Sequence, residues 1–168
     1  ASSGAAEGTA TGVGTWLAVS SLMLKLTRCL CRCVSPLVAA AREGRTVPFN
    51  EMVEYCRAVI EDANAAGGTV LIEGVGGVMV PLDAHHTVLD LIAALDIPSI
   101  LVGGSYLGSL SHTLTAYAAL HARNLAIDGI IVSETPDSEV PLDETKETLA
   151  RFVAPTPVHV FPYTPFED

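Results

Sequence analysis

The stretch Thr69-Val70-Leu71-Ile72-Glu73-Gly74-Val75-Gly76-Gly77 contains the pattern that decides the fold. Its first five residues form a short apolar run, which predicts a buried strand at Thr69–Glu73. The preceding segment, Asn50–Ala66, has apolar residues at the helical period of about 3.6 and is closed by Gly67 and Gly68. An amphipathic helix followed by a buried strand is the unit from which parallel sheets are built.

The same alternation continues to the end of the chain. It predicts helices at Val88–Leu95, Leu107–Ala122 and Pro141–Phe152, and strands at Ser99–Gly103, Asp128–Ser133 and Pro157–Phe161. A further apolar segment, Trp16–Val34, is also predicted as a helix. Short apolar strands that alternate with helices are typical of a mainly parallel sheet with helices on both faces, so we predict a three-layer α/β fold.

Length and composition indicate one acidic domain. The chain has 168 residues, of which 49% are hydrophobic and 17% charged, enough for a core that needs no disulfides. Its net charge is -10, from 9 basic and 19 acidic residues, and only 5% of the chain is aromatic. We therefore expect no nucleic acid partner, because such a partner needs clustered Lys and Arg or stacking aromatic rings.

Neither a membrane span nor a secretory signal is expected. The longest apolar run, Trp16–Leu24, is shorter than a bilayer requires, and no basic residue precedes it. We therefore expect a cytoplasmic protein whose 4 cysteines are reduced. Cys29 and Cys33 share one face of the predicted helix and Cys31 lies on another, so helix packing is favoured over the alternative of a metal site.

Ligands of parallel sheets bind beyond the carboxyl ends of the strands, and the segment after the first strand carries suitable chemistry. Glu73 ends that strand and is followed by three glycines in the residues 74–77, which brings bare backbone N–H groups near a carboxylate. The pattern suits a phosphate and its magnesium ion, with Glu73 as a ligand of the metal or of its water. The alternative is a glycine-rich turn with a solvated glutamate.

A second segment, Leu107–His112, follows a strand and opens a predicted helix. Free N–H groups at this helix start, with Ser109 or Ser111 as cap, would hold a carboxylate or a phosphate. An ordinary capped helix start is the alternative, and His112 is assigned no catalytic role.

A third segment, Gly8-Thr9-Ala10-Thr11-Gly12-Val13-Gly14-Thr15, resembles a phosphate-binding loop whose lysine is absent. Small and polar residues at 1–7 stand where that motif has an apolar strand. The alternative is a flexible tail with chance glycines.

Taken in this order, the segments resemble the dethiobiotin synthetases, the ATP-dependent ligases of biotin synthesis. The resemblance is carried by Ser35-Pro36-Leu37-Val38-Ala39-Ala40, Glu73–Gly77 with Pro81-Leu82, Leu107–His112 and Pro162-Tyr163. The loop from Gly8 stands where the family has G-T-x-T-G-x-G-K-T. The resemblance implies a fold like that of P-loop NTPases and a single domain over 1–168, with 1–34 as a degenerate phosphate-loop region and 35–168 as a well-matched remainder.

The resemblance also implies an activity. Family members convert 7,8-diaminononanoate, CO2 and ATP into dethiobiotin, ADP and phosphate. An amine forms a carbamate, the carbamate takes the γ-phosphoryl group, and the second amine closes the ring. We therefore expect ATP and Mg2+ as cofactors, diaminononanoate and CO2 as further small-molecule partners, and a homodimer whose interface includes the helix near Leu107.

Site residues follow from the same resemblance, position by position. The nucleotide-binding residues implied are Gly8, Thr11, Gly12, Val13, Gly14, Thr15, Glu73, Gly74, Val75, Gly76, Ser133, Glu134, Pro162, Tyr163 and Thr164. The substrate-binding residues implied are Gly76, Gly77, Gly108, Ser109 and Ser111, and the metal ligands implied are Glu73 and Thr15.

Several features depart from the family pattern. The loop lysine is absent, and so is the K-P-x-x-S-G segment that carries the catalytic lysine, so no catalytic residue is assigned and an internal deletion is inferred. Ser133-Glu134 stand where an Asn-Asp pair meets adenine in the family. The loss of both lysines removes charge that stabilises phosphoryl transfer, which predicts weak ATP binding and little ligase activity.

Two further hypotheses therefore stand beside a dethiobiotin synthetase. One is a catalytically impaired family member that acts only as a binding and dimerisation module. The other is a related P-loop amide-forming enzyme or ATPase, which the joint presence of Ser35-Pro36 and Leu107–His112 disfavours. ATP turnover with diaminononanoate and bicarbonate separates an active synthetase from the impaired module.

Overall fold

Five strands and five helices lie in the part of the chain that the computed structural model describes, which comprises residues 15–16, 35–74, 76–136 and 138–165. The strands are β1 (Thr15–Trp16), β2 (Val70–Leu71), β3 (Ser99–Gly104), β4 (Ile127–Ser133) and β5 (Val158–Phe161). The helices are α1 (Pro36–Arg42), α2 (Phe49–Ala65), α3 (Val88–Leu95), α4 (Ser109–Ala122) and α5 (Leu142–Val153). By compactness the chain divides into two units, residues 1–75 and residues 76–168.

The first unit contains a two-stranded parallel sheet. β1 pairs with β2, so that Thr15 lies opposite Val70 and Trp16 opposite Leu71. Helix α2 packs against β2 and buries an apolar stripe, Met52, Val53 and Cys56. Burial raises the pKa of the Cys56 thiol, which is free and packs as a small apolar side chain.

The second unit is built on a three-stranded parallel sheet in the order β3-β4-β5. Helix α4 packs against β3, and α5 packs against β4 and β5 and touches α4. Between the sheet and these helices lies the core of the unit: Ile130, Val132, Leu149, Val153 and Val158, with Leu101, Leu110, Leu114, Tyr117, Leu142 and Val160 packed around them. Burial of such a cluster contributes about 25 cal/mol per Å2 of apolar surface and holds the helices on the sheet.

The α/β class with a parallel sheet and packed helices, predicted from the alternating pattern, is confirmed. The predicted helices and strands from residue 50 onward are present, and most of their ends differ by one or two residues. Helix α4 begins at Ser109 rather than Leu107, because Gly108 has a φ of +90° and breaks the helical conformation. The single domain over 1–168 stays a prediction.

Two predictions of local structure are corrected, and one helix was missed. Trp16 was expected to open a helix, but it lies in β1, since its backbone pairs with Leu71; the rest of that predicted helix, residues 17–34, lies outside the described residues. β2 comprises Val70–Leu71 instead of the predicted Thr69–Glu73, and these two residues pair with Thr15 and Trp16. Helix α1 was not predicted; it follows Ser35, an extended N-cap residue, and has a proline in its first turn.

None of the helices in the described ranges is long and apolar enough to cross a membrane.

Candidate functional site

The carboxyl ends of β3, β4 and β5 lie along one edge of the sheet of the second unit, because the three strands run parallel. Gly104, Ser133 and Phe161 are opposite one another at this edge. The segments that follow the strands therefore emerge side by side. Each of these segments contains residues that the sequence implicated in ligand binding, and parallel sheets bind their ligands at such an edge.

Glu134 and Tyr163 are joined directly at this edge. The backbone N–H of Tyr163 donates a hydrogen bond of 2.8 Å to Oε2 of Glu134, and the N–H of Glu134 donates one of 2.9 Å to the carbonyl of Phe161. The predicted nucleotide residues at 133–134 and 162–164 are thus brought together, and we call them the base-side loop. Tyr163 is half exposed.

Ser105 and Thr135 tie the end of β3 to the end of β4. The N–H of Ser105 donates to Oγ1 of Thr135 at 3.2 Å, and the N–H of Thr135 donates to Oγ of Ser105 at 2.8 Å. The hydroxyl of Ser138 donates to the carbonyl of Ser105 at 2.6 Å. The sequence placed both residues in the segments 104–111 and 133–135 that follow predicted strands, but it assigned neither Ser105 nor Thr135 a role.

Gly104 permits this close approach. A Cβ atom at position 104 would lie 2.7 Å from ring atoms of Tyr106 and 3.1 Å from Oγ1 of Thr135. A side chain there would have to displace one of them, so the glycine is required by packing rather than by its φ angle.

The start of α4 presents unpaired backbone donors. The N–H of Ser109 donates to the carbonyl of Tyr106 at 2.9 Å, and that of His112 donates to Gly108 at 3.1 Å. The N–H groups of Leu110 and Ser111, by contrast, have no hydrogen-bond partner among the residues that the structure describes. No acidic side chain lies in this first turn. Such a helix start attracts a carboxylate or a phosphate through its free donors and its dipole.

The loop from Gly76 to Val80 is attached to α3. Val78 and Val80 accept hydrogen bonds from the N–H groups of Leu89 and Val88, at 2.7 and 3.0 Å. Gly76 has a φ of +73°, and a Cβ there would lie 2.8 Å from Cγ2 of Val80, so only glycine fits. Gly76 and Gly77 are both exposed, as an approach of their backbone to a ligand requires.

The turn after this loop is held by Asp83. Its Oδ1 accepts the N–H groups of His85 and His86, both at 2.7 Å, and Oδ2 lies 2.8 Å from Nδ1 of His86. Burial on its own raises the pKa of Asp83, but the hydrogen bonds from these two histidines and the charge of His86 outweigh it, so the pKa lies below its ordinary value.

The remaining predicted residues are only partly described. Glu73 and Gly74 follow β2 in the first unit and are exposed. Thr15 is placed in β1, and Gly8, Thr11, Gly12, Val13, Gly14 and Val75 lie outside the described residues, as do Cys29, Cys31 and Cys33. In the described part of the chain, no three His, Cys, Asp or Glu side chains are close enough together to hold a metal ion.

The sequence of this chain is similar to those of known proteins. A family model described as an AAA domain matches residues 8–165. The chain is 49% identical over 128 residues to an ATP-dependent dethiobiotin synthetase of Acidiphilium cryptum (strain JF-5), an alignment that covers 76% of this chain and 56% of that protein. It is 46% identical over 118 residues to the protein of the same name from Methylobacterium nodulans, covering 70% of this chain and 52% of that one.

A third relative, the ATP-dependent dethiobiotin synthetase of Caulobacter sp. (strain K31), is 43% identical over 129 residues, which cover 77% of this chain and 55% of that protein. The chain thus spans about half the length of the curated relatives that it matches.

Proposed function

We propose that this chain carries out the ATP-dependent ring-closing carboxylation of 7,8-diaminononanoate. The premise is that the chain belongs to the AAA-domain family and to the dethiobiotin synthetases. The substrates are the diamine, CO2 and ATP, and the products are dethiobiotin, ADP and phosphate. The observation that carries the proposal is the start of α4, where two adjacent backbone N–H groups are unpaired in the described part of the chain.

The start of α4 is proposed to bind the carboxylate of diaminononanoate. This substrate has a single anionic group and two amines, so a site with donors and no acidic side chain binds its carboxylate end and leaves the amines free. Gly108, Ser109 and Ser111 belong to this helix start, and the exposed backbone of Gly76 and Gly77 completes the proposed substrate residues.

The base-side loop is proposed to bind the nucleotide base. Glu134 accepts from Tyr163 through Oε2 and has a second oxygen, Oε1, with which it can accept a further donor. A carboxylate accepts but does not donate hydrogen bonds, so it pairs with an amino group such as N6 of adenine and not with a ring acceptor. Ser133, Pro162 and Thr164 belong to the same proposed set. The residues named at 8–15 and 73–76 are proposed from the sequence resemblance to contact the phosphates.

Magnesium is proposed to bind at Glu73. The chemistry of this group fits, because Mg2+ takes oxygen ligands, retains several waters and is commonly held by one or two carboxylates together with substrate phosphates. Glu73 is exposed two residues beyond β2 and supplies one such carboxylate; Thr15 is the second proposed ligand. When bound, the ion neutralises charge on the phosphoryl group that is transferred. Glu73→Gln is expected to abolish the magnesium dependence of nucleotide binding in calorimetry without unfolding the chain.

A homodimer and a cytoplasmic location are part of the same proposal. Leu107 is 99% exposed and the neighbouring Tyr106 is 45% exposed, which is unusual for an apolar pair beside a ligand site and supports a contact with a second copy. The buried free thiol of Cys56 agrees with a reducing location.

An impaired synthetase that only binds and dimerises is the second candidate. The observation that favours it is the absence of the phosphate-loop lysine, because Thr15 follows Gly14 directly. The start of α4 needs neither lysine, so the substrate carboxylate can bind even where phosphoryl transfer is slow.

The test combines turnover with a matched pair of variants at Ser111. Dethiobiotin and phosphate are measured with diaminononanoate, bicarbonate and magnesium-ATP. Ser111→Pro removes one unpaired N–H within the first turn, where proline is tolerated, whereas Ser111→Ala keeps that N–H and removes only the hydroxyl. We expect about tenfold weaker binding of diaminononanoate by Ser111→Pro and little change in Ser111→Ala. Equal affinities in both variants would exclude this helix start as the carboxylate site.

A further inference from the structure

We propose that Ser105 and Thr135 are positioning residues that hold the start of α4 in the geometry that binds a carboxylate, an inference that rests on the proposed function of this helix start. Both residues lie in segments that follow predicted strands, but neither is among the site residues assigned from the sequence. They exchange two hydrogen bonds across the ends of β3 and β4, and we call this pair the Ser105–Thr135 clamp.

The Ser105 end of the clamp is a fixed point, because this residue is buried and its backbone and side-chain oxygen and nitrogen atoms are paired. Ser105 is 2% exposed, and its N–H, its carbonyl and its Oγ all have partners, in Thr135, Ser138 and Thr135 respectively. Removal of one partner would leave a buried donor or acceptor unsatisfied. The free energy lost in this way is larger than the net contribution of an exposed hydrogen bond. Ser105 therefore has one stable position relative to β4.

Tyr106, the residue after Ser105, connects the clamp to the start of α4. The carbonyl of Tyr106 accepts the N–H of Ser109, and the hydroxyl of Tyr106 lies 3.0 Å from Nδ1 of His112. The turn at 106–109 sets the direction of the N–H groups of Leu110 and Ser111. A shift of Ser105 would therefore change the direction of the donors that the carboxylate meets.

A second contact fixes the body of α4 on β3. A Cβ at Gly103 would collide with Oγ1 of Thr113, so the body of the helix lies directly on β3. Thr113 cannot move closer to β3. If the clamp is lost, we therefore expect the turn at 106–109 to shift, and not the body of α4.

The clamp is also linked to the segment that follows β5. Thr135 follows Glu134, whose Oε2 accepts the N–H of Tyr163. Hydrogen bonds between neighbouring backbone positions thus link the base-side loop to the turn that opens α4, entirely within the second unit. A change at Thr135 is the most direct way to interrupt this link, because its side chain supplies only one of these bonds.

The experiment compares Thr135→Val, which removes the acceptor for the N–H of Ser105 at nearly constant shape, with Thr135→Ser, which keeps it. Thr145→Val serves as control, because it removes a buried hydroxyl at the start of α5, where Oγ1 lies 3.5 Å from the carbonyl of Pro141. Two quantities are measured in each variant: amide hydrogen exchange at Ser109 and His112 in the ligand-free chain, and the Kd for diaminononanoate by calorimetry.

We expect Thr135→Val to accelerate exchange at Ser109 and His112 about tenfold and to weaken diaminononanoate about tenfold, with exchange in β4 unchanged. Thr135→Ser should remain near the parent chain in both quantities, and Thr145→Val should alter neither. Thr135→Val with parental exchange and parental Kd would overturn the proposal, and so would equal losses in Thr135→Val and Thr145→Val. If the parent chain does not bind diaminononanoate, the proposed function of this helix start fails, and the exchange at Ser109 alone decides whether the clamp orders it.

Discussion

Arg123 donates a hydrogen bond of 3.2 Å to Oδ1 of Asp90, which joins the end of α4 to the start of α3 across 33 positions of sequence. The other carboxylate oxygen of Asp90 accepts the N–H and the hydroxyl of Thr87, at 2.7 and 2.8 Å. One aspartate therefore caps α3 and forms an ion pair with α4. The hydrogen bond from the Thr87 N–H lowers the pKa of Asp90 against the effect of burial, and the Thr87 hydroxyl and Arg123 lower it further.

The two roles of Asp90 predict unequal effects of mutation. Arg123→Ala removes only the ion pair, whose arginine is 48% exposed, and should lower the free energy of unfolding by no more than about 0.5 kcal/mol. Asp90→Ala removes the ion pair and the cap together and should lower it by about 1–2 kcal/mol. Urea unfolding of the two variants measures both values. Equal losses would show that the ion pair, and not the cap, provides the stability.

Asp83 predicts a dependence of stability on acid. Its pKa in the folded chain lies below the ordinary value of 3.8, because the hydrogen bonds from His85 and His86 outweigh the effect of burial. A lowered folded-state pKa contributes stability that is complete above the unfolded pKa and is lost as the pH falls through the folded pKa.

The difference in unfolding free energy between the parent chain and Asp83→Asn should therefore be fully present near pH 5 and shrink below about pH 4. Urea titrations at a series of pH values measure this difference. A difference that stays constant down to pH 3, or that grows with acid, would show that the Asp83 carboxylate is not stabilised in the folded state.

How far the sequence predicts this fold depends on the kind of signal that each element carries. Helix α2 was predicted because its apolar residues repeat at the helical period, and β3 because it is a continuous apolar run. Helix α1 was missed because its seven residues span only two turns, too few to establish a period. β1 was misassigned because Trp16 adjoins an apolar segment, while its strand pairing with Leu71 depends on a residue 55 positions away.

The candidate site residues were assigned from the sequence for a different reason. Gly108 belongs to a segment that follows a predicted strand and opens a helix, and Glu134 stands where the resembling family has an Asn-Asp pair. The contact between Thr135 and Ser105 has no local signature, because small polar residues are common in loops and only the register of β3 and β4 brings these two together. The same applies to the bond from Tyr163 to Glu134, which links residues 29 positions apart.

The proposed dimer predicts a change of oligomeric state at Leu107. Its side chain is almost fully exposed, so a charge there costs little in a monomer but is buried without a partner in an interface. We expect light scattering to give a dimer at micromolar concentration for the parent chain and a monomer for Leu107→Asp. Leu107→Met, which keeps the apolar surface, should remain dimeric. A monomeric parent chain, or a Leu107→Asp variant that is still dimeric, would contradict the proposed interface.

The last prediction concerns the affinity for ATP, and it follows from two features around Thr15. The family loop carries a lysine between the positions of Gly14 and Thr15, and here these residues are adjacent. A charged hydrogen bond to phosphate, worth about 1.5–3 kcal/mol, is therefore lost. In a phosphate-binding loop the Ser or Thr opens a helix whose N-terminus binds the phosphate, whereas Thr15 lies in β1 and pairs with Val70.

Both losses act on the phosphates and neither acts on the base-side loop, so we expect magnesium-ATP to bind with a Kd of about 1 mM or weaker in calorimetry. Insertion of a lysine between Gly14 and Thr15 should tighten binding by about tenfold or more, because it restores the charge. Insertion of an alanine at the same place is the matched control, since it shifts the chain equally without adding charge. Micromolar affinity in the parent chain, or equal gains from lysine and alanine, would show that other residues bind the phosphates and that Gly8–Thr15 is not the phosphate site.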